Sequence, residues 1–218
     1  MNQIQGLDVN SFFKFAADTY DTQANFDLQK ELIKSPNRMQ SLSYLMKSCQ
    51  NSPEFLSLFN DKYMKRFPTT AELLDMPDQT LGHHLGLHLK TNNIQLDFAG
   101  VDSNVFYNQE MTLPVYLGLR ALRNHDVLHV LLGKDVSPLS EFYVFAFQIA
   151  QFQSPLHMIS LSAGMLGSIL CNVIDPIVFM NNLTEAFQRG QKAKFVFGFP
   201  LEDHWLTPIA DVRRLVGV

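Results

Sequence analysis

Four Ser-Pro steps divide the chain, and each precedes a run of apolar residues at helical spacing. They are Ser35-Pro36, Ser52-Pro53, Ser137-Pro138 and Ser154-Pro155. Serine can accept a hydrogen bond from the amide groups that open a helix, and proline suits the first helical position because it has no N–H group. Few segments alternate between apolar and polar residues as a half-buried strand does. The sequence therefore predicts an all-α protein.

Helix start and stop signals place ten helices along the chain. They are predicted at residues 11–22, 36–49, 53–66, 70–76, 78–90, 113–132, 138–152, 156–174, 176–189 and 208–215. Residues 94–98 and 194–199 are candidates for short strands, and either could be plain loop. Because 218 residues require no more than one core, we expect a single mainly helical domain, residues 1–218, with at most one or two short strands.

Residues 142–174 contain no Asp, Glu, Lys or Arg, so a transmembrane helix has to be considered. Pro155 interrupts this stretch, and the segment after it holds a histidine, three serines, an asparagine and two glycines. A membrane-spanning helix needs about 20 predominantly apolar residues. The stretch therefore favours a buried helix pair or an apolar face that rests on a bilayer, and we expect peripheral membrane contact without a span.

Charge and cysteine content exclude several classes of protein. A net charge of -4 offers no general attraction for nucleic acid, so no nucleic-acid partner is expected. Cys49 and Cys171 stand alone, which argues against both a disulfide framework and a zinc ribbon. The first residues show neither a signal peptide nor a transit peptide pattern. We expect a cytoplasmic protein that is peripheral to a membrane.

The segment leading into Gly133 carries a constellation of potential metal ligands. His125 and His129 are four residues apart on a predicted helix, so they share one face, and Asp126 lies within about a quarter turn of each. Glu141 falls in the first turn of the next predicted helix and can approach if the two helices form a hairpin. Two imidazoles with one or two carboxylates suit a divalent metal, zinc first, with iron, manganese or magnesium as alternatives.

Two alternatives to this metal site stay open. The residues could be ordinary polar groups at a helix C-terminus, with the histidines facing the helix dipole and Asp126 paired with Arg123. A second group, His83, His84 and His88, also repeats at helical spacing, but no carboxylate lies near it on the same helix. We interpret this second group as a solvated or partner-facing histidine patch.

The pattern His125-Asp126-x-x-His129, followed by eleven residues and Glu141, resembles the signature of the fourth protein of the coenzyme Q (ubiquinone) biosynthesis series. Further elements of that family occur in the same order over roughly residues 70 to 218. They are Met76-Pro77-Asp78-Gln79-Thr80-Leu81-Gly82, the segment Gln151 to Pro155, and the tail from Trp205 to Arg213. The chain departs from the family pattern at His83-His84 and at Ser140-Glu141.

This resemblance implies a helical protein that binds polyprenyl lipids and acts on prenylated quinone precursors beside other quinone-biosynthesis proteins. It implies a metal-dependent oxidative decarboxylation that replaces the ring carboxylate with a hydroxyl. The metal and catalytic residues would be His125, Asp126, His129 and Glu141. A non-catalytic scaffold that presents prenylated intermediates, a phosphohydrolase acting on prenyl phosphates, and a homodimer all stay open.

The uncharged stretch is the expected place for an apolar channel that holds the prenyl tail. Each buried methylene contributes about 0.8 kcal/mol, so aliphatic and aromatic walls suffice to bind such a chain without polar contacts. The predicted lining residues are Phe145, Phe147, Phe152, Met158, Leu161 and Met165. The same side chains could instead form ordinary core.

Overall fold

The computed structural model describes residues 38–95, 111–171 and 174–218. Within these ranges the chain forms ten α-helices and two short 3-10 helices and no strand, with one isolated β-bridge between Thr80 and Pro208. The prediction of an all-α fold is confirmed. The predicted helix at 11–22 and most of the candidate strand at 94–98 lie outside the described residues.

The helices begin and end close to the predicted positions, with two exceptions, and one candidate strand is not a strand. In chain order they are α1 (Arg38–Gln50), α2 (Pro53–Asn60), α3 (Thr70–Leu74), α4 (Leu81–Thr91), α5 (Leu113–Arg123), α6 (His125–Leu132), α7 (Pro138–Phe152), α8 (Pro155–Cys171), α9 (Pro176–Lys192) and α10 (Ile209–Val216). The predicted helix 53–66 stops at Asn60, the candidate strand 194–199 contains a 3-10 helix, and the predicted helix 113–132 is interrupted at Asn124.

Ser-Pro steps open three of these helices, and two of the serines accept the hydrogen bond expected of a cap. The hydroxyl of Ser52 accepts from the amide three residues later at 3.2 Å, and that of Ser154 accepts in the same way at 3.4 Å. Ser137 differs because its hydroxyl donates to the hydroxyl of Ser140. The fourth step, at residues 35–36, lies outside the described residues.

The interruption at Asn124 is a local distortion of the backbone that leaves the helical hydrogen bonds intact. Asn124 has φ -100° and ψ 7°, which is not helical. Its N–H still donates to the carbonyl of Arg120, and its carbonyl still accepts from the N–H of Leu128. The side chain of Asn124 is fully buried, and its amide oxygen and nitrogen have no hydrogen-bond partner within the described part of the chain.

Contact clustering divides the chain into two compact units, each made from two separate stretches. One, here called the hairpin unit, comprises residues 1–45 and 137–191; the other, the histidine unit, comprises residues 46–136 and 192–218. The expectation of one domain over residues 1–218 stays a prediction.

In the hairpin unit, α7 packs against α8 and is tied to α9 by polar contacts. The hydroxyl of Tyr143 donates to Glu185, and the side-chain amide of Gln151 donates to the carbonyl of Gly190. A Cβ atom at Gly190 would lie 2.6 Å from the carbonyl oxygen of Phe147, so only glycine permits this close approach. The uncharged stretch thus supplies most of the packed pair formed by α7 and α8. No helix in the described ranges is long and apolar enough to cross a membrane.

In the histidine unit, α4 packs against α3 and α6, and α10 packs against α4 and α6. A buried arginine organises the other side of this unit. The Arg120 guanidinium donates to the carbonyls of Phe197 and Phe199 and forms an ion pair with Glu202 at 2.7 Å, with both charged side chains fully buried. These bonds attach the 3-10 helices near the C-terminus to α5.

Candidate metal centre

The α6 helix places the imidazoles of His125 and His129 against each other. Their ring centroids are 4.9 Å apart, and the Nε2 atom of one lies 3.3 Å from the Nε2 atom of the other. His129 is fully buried, whereas His125 is partly exposed. The predicted shared face is therefore present, with one ligand atom from each ring directed to the same point.

The hydrogen bond at the other nitrogen of His129 determines the tautomer of the neutral ring. Nδ1 lies 2.7 Å from the backbone carbonyl oxygen of Asp135, and a carbonyl can only accept a hydrogen bond. Nδ1 therefore carries the proton, which leaves a lone pair at Nε2 in the neutral imidazole. Histidines that bind metal typically donate a hydrogen bond from their other nitrogen in this way, which holds the ring in place.

The turn after α6 delivers the Asp135 carbonyl. Gly133 ends the helix with φ 69°, a left-handed conformation that glycine adopts without strain. The N–H of Lys134 then donates to the carbonyl of His129, and Arg213 of α10 donates to the carbonyls of Leu131 and Val130. The carbonyls in the last turn of α6 are thus hydrogen-bonded both by the turn that follows the helix and by α10.

The distance between the two Nε2 atoms matches the requirement of a tetrahedral metal. Zinc binds imidazole nitrogen at about 2.0 to 2.1 Å, so two ligands of one tetrahedral ion lie roughly 3.3 to 3.4 Å apart. The observed separation is 3.3 Å. The donor set and its spacing therefore fit a divalent metal of this type.

Glu141, the carboxylate predicted to join the two histidines, lies in the hairpin unit. It stands in the first turn of α7, where its N–H donates to the carbonyl of Ser137. Its side chain is partly exposed. Its place in the ligand set stays a prediction from the sequence motif.

Asp126, the fourth predicted ligand, is placed differently. Its Oδ1 atom lies 3.3 Å from Nε2 of His88 on α4, in the same unit. The pairing with Arg123 that an ordinary helix end would offer is replaced, because Arg123 donates to the carbonyl of Lys65. The structure therefore gives Asp126 a histidine partner that its sequence neighbours do not reveal.

The histidines of α4 do not form the solvated patch that the sequence favoured. The side chain of His88 is only 9% exposed. His83 contacts the carbonyl of Leu74 through Nδ1 and lies 3.7 Å from Asp78, while burial and the positive charge of Arg213 hold the pKa of His84 below its usual value. These half-buried rings belong to the packing of α4 rather than to a free surface.

The residues predicted to line a lipid channel separate by exposure. Phe147 and Phe152 are buried, Phe145 and Leu161 are half-buried, and Met158 and Met165 on α8 are exposed. A channel along these six residues stays a prediction. Sequence reasoning passed over α9, whose first turns expose three apolar residues, Ile177, Val178 and Met180.

Comparison with known families and proteins bears on the whole chain. The family described as coenzyme Q (ubiquinone) biosynthesis protein Coq4 matches residues 35–218. The ubiquinone biosynthesis protein COQ4 homolog 2, mitochondrial, of Paramecium tetraurelia is 30% identical over 143 residues, which cover 66% of this chain and 65% of that protein. The COQ4 homolog, mitochondrial, of Xenopus tropicalis is 25% identical over 182 residues, which cover 82% of this chain and 62% of that protein.

These relatives are longer than the matched region, so the chain spans somewhat less than two thirds of the length of each. The fold also has a counterpart among solved structures. The crystal structure of a protein from Nostoc punctiforme superposes with a TM-score of 0.73 at 19% identity, covering 95% of both chains. That likeness supports the all-α fold described above.

Proposed function

Because the chain belongs to the family of coenzyme Q (ubiquinone) biosynthesis protein Coq4, we propose that it is a metal-dependent component of ubiquinone biosynthesis. The observation that carries the metal is the pair of Nε2 atoms 3.3 Å apart on α6. The sequence motif predicts Glu141 as a carboxylate ligand, and zinc, iron, manganese and magnesium are the candidate metals in that order. Three protein ligands leave coordination positions for water or substrate.

The substrate in this proposal is a quinone precursor that carries a ring carboxylate and a polyprenyl tail. A bound divalent cation would attract the ring carboxylate and withdraw charge from it. The protein's own part is orientation: the Asp135 carbonyl fixes the His129 ring, and the burial of His129 keeps bulk water from that side of the site. His125 is partly exposed, so a substrate can approach the site at that residue.

The proposed reaction replaces the ring carboxylate with a hydroxyl. The bond between ring carbon and carboxylate breaks, the carboxylate leaves as carbon dioxide, and one atom of dioxygen becomes the hydroxyl oxygen. The second oxygen atom leaves as water, which requires a two-electron reductant. Dioxygen and this reductant are therefore co-reactants of the proposed step.

Binding of the tail and peripheral contact with a membrane are assigned to the hairpin unit. Its α8 and α9 helices expose Met158, Met165, Ile177, Val178 and Met180, and exposed apolar side chains of this kind can mark a site of lipid or membrane contact. A prenyl chain or the acyl region of a bilayer would cover such side chains. We accordingly propose a cytoplasmic protein peripheral to a membrane, working beside other proteins of the same pathway.

Metal content tests the first half of this proposal. Wild type, His129→Ala, His125→Ala and Glu141→Gln would be purified without chelators and their zinc, iron and manganese measured. We expect both alanine variants to lose the metal and Glu141→Gln to keep a reduced amount, because the two imidazoles remain. Equal metal in wild type and His129→Ala would contradict the proposed centre.

Bound lipid tests the second half and separates an enzyme from a scaffold. Lipids extracted from the gently purified protein would be identified by mass spectrometry, and His125→Ala would be assayed for both lipid retention and product formation from a prenylated ring carboxylate. Lipid retained with product lost supports the enzyme. Lipid retained with quinone synthesis in cells unaffected would support the non-catalytic scaffold, and the absence of any prenyl lipid would contradict both.

A further inference from the structure

Behind the two α6 histidines lies a third histidine that the proposed ligand set does not use. The Nε2 atom of His88 on α4 lies 3.3 Å from Oδ1 of Asp126, and both side chains are largely buried. A carboxylate only accepts hydrogen bonds, so Nε2 of His88 is the donor. Asp126 directly follows His125 in the first turn of α6, so this hydrogen bond joins α4 to the start of the helix that carries the two proposed ligands.

The same imidazole also packs on His129. The rings of His88 and His129 have centroids 5.6 Å apart and planes inclined by 27°, which is an offset stack. His129 is therefore held on two sides, by the Asp135 carbonyl at Nδ1 and by the face of His88. Its Nε2 atom faces Nε2 of His125 at 3.3 Å.

We propose that His88 is a positioning residue of the metal centre: it holds Asp126 through Nε2 and supports the His129 ring through its own ring face. This inference rests on the proposed metal-dependent function. The two contacts have different physical origins, because one is a hydrogen bond from a nitrogen and the other needs only an aromatic plane. Substitutions can therefore separate them.

Glutamine and phenylalanine each keep one of the two contacts. In His88→Gln the side-chain amide nitrogen can replace Nε2 as donor to Asp126, but the ring is lost. In His88→Phe the ring remains and the donor is lost, which leaves the Asp126 carboxylate without its histidine. His84→Phe is the matched control, because it removes an imidazole from the same helix at a position with no observed contact to Asp126 or His129 among the described residues.

Cobalt(II) titration reads out the effect independently of activity. Each variant, freed of metal, would be titrated with cobalt(II) chloride while the visible absorption spectrum is recorded. Loss of a group that holds a metal ligand in place typically lowers metal affinity by about 10- to 100-fold. We expect a loss of this size and an altered cobalt spectrum for His88→Phe, a smaller loss for His88→Gln, and wild-type behaviour for His84→Phe.

A double variant shows whether His88 acts through Asp126. If it does, His88→Phe should weaken cobalt binding much less in an Asp126→Ala background than in the wild type. Melting temperatures identify any variant that does not fold, and Asp126→Ala removes the same hydrogen bond from the other end if His88→Phe proves unstable. Because His88 is the donor and alanine has no acceptor, Asp126→Ala alone should also reduce affinity.

The failures of the two proposals are distinguishable. Absence of cobalt binding by the wild type would overturn the metal centre and the role of His88 together. Wild-type cobalt binding with an unchanged affinity and spectrum in His88→Phe would overturn only the role of His88. Equal losses in His88→Phe and His84→Phe would likewise overturn it, because the effect would then follow from packing of α4 in general.

Discussion

At the scale of single residues, burial makes the Arg120 and Glu202 pair the most sensitive contact in the histidine unit. Both side chains are fully buried, and Oε2 of Glu202 has no hydrogen-bond partner among the described residues. Arg120→Met would leave this carboxylate buried and uncompensated, which typically costs about 3 to 5 kcal/mol. Chemical denaturation should show a loss of this size.

Glu202→Gln in the Arg120→Met background is the informative control for that prediction. It removes the negative charge that the arginine no longer balances, so part of the lost free energy of unfolding should return. A double variant less stable than Arg120→Met would show that the charge is balanced by another group.

Cys49 is a second residue whose burial dictates its chemistry. Burial raises the pKa of its thiol to about 11, and the side chain is inaccessible. Since the thiolate is the reactive form, we expect no alkylation of Cys49 by iodoacetamide at pH 8 in the folded protein and complete alkylation in guanidinium chloride. Peptide mass spectrometry reads the site directly, and rapid labelling of the native protein would contradict the burial.

The residue pattern predicted the shared face of the metal centre but not its supports. His125 and His129 follow from helical spacing alone. The Asp135 carbonyl requires knowing how the chain turns after Gly133, and the His88 contact requires knowing that α4 packs on α6. Backbone acceptors and long-range pairs leave no periodic signal in a sequence, so they were missed.

At the scale of helices, the left-handed end of α6 links stability to the metal site. Gly133 has φ 69°, and a Cβ atom there would meet only Arg213 at an ordinary 3.8 Å. Gly133→Ala should therefore cost about 1 to 2 kcal/mol through backbone strain alone. It should also weaken cobalt binding, because the turn delivers the Asp135 carbonyl to His129.

Gly118→Ala is the matched control for this substitution. Gly118 lies within α5, and a Cβ atom there would meet nothing within 4 Å. Alanine is favoured over glycine in a helix, so this variant should be as stable as the wild type or more so. Wild-type stability in Gly133→Ala would contradict the strain argument.

The break between α5 and α6 is the main error in the predicted helix boundaries, and it yields a further prediction. The backbone hydrogen bonds on both sides of Asn124 are kept. The sequence has no glycine or proline there to signal the end of a helix, so it did not predict the break. The buried amide of Asn124 has two unpartnered atoms in the described chain, each worth about 1 to 3 kcal/mol of lost solvation. Asn124→Leu should therefore raise the melting temperature.

Asn124→Asp tests the same point in the opposite direction. A buried carboxylate without a partner is more costly than an amide, so this variant should melt well below the wild type. A lower melting temperature for Asn124→Leu would mean that the amide is bonded by a group outside the described residues.

At the scale of the whole chain, composition indicated helices and an apolar surface, but not where that surface lies. The uncharged stretch appeared the natural lipid-binding region, yet Phe147 and Phe152 within it are core residues. Exposed apolar side chains also occur on α9, where polar residues such as Asn181 and Asn182 interrupt the apolar run. Exposure depends on which helix face is covered, and that is decided by packing rather than by composition.

Peripheral membrane association stays a prediction, and the exposed apolar side chains of α9 offer a test of it. Ile177 is 72% exposed and Val178 is also exposed, both in the first turn of α9. Burial of such side chains in the acyl region contributes roughly 1.5 to 3 kcal/mol each, whereas aspartate at the same positions opposes insertion. The double substitution Ile177→Asp and Val178→Asp should therefore sharply reduce co-sedimentation with liposomes.

Leu206 provides the matched control, because it is 68% exposed but lies in the histidine unit. If α9 is the membrane-facing surface, Leu206→Asp should sediment with phosphatidylcholine liposomes as the wild type does, while the α9 double variant stays in the supernatant with an unchanged melting temperature. Equal sedimentation of all three proteins would contradict the assignment of the membrane contact to α9. A loss in Leu206→Asp alone would move that contact to the histidine unit, which does not contain the predicted lipid channel.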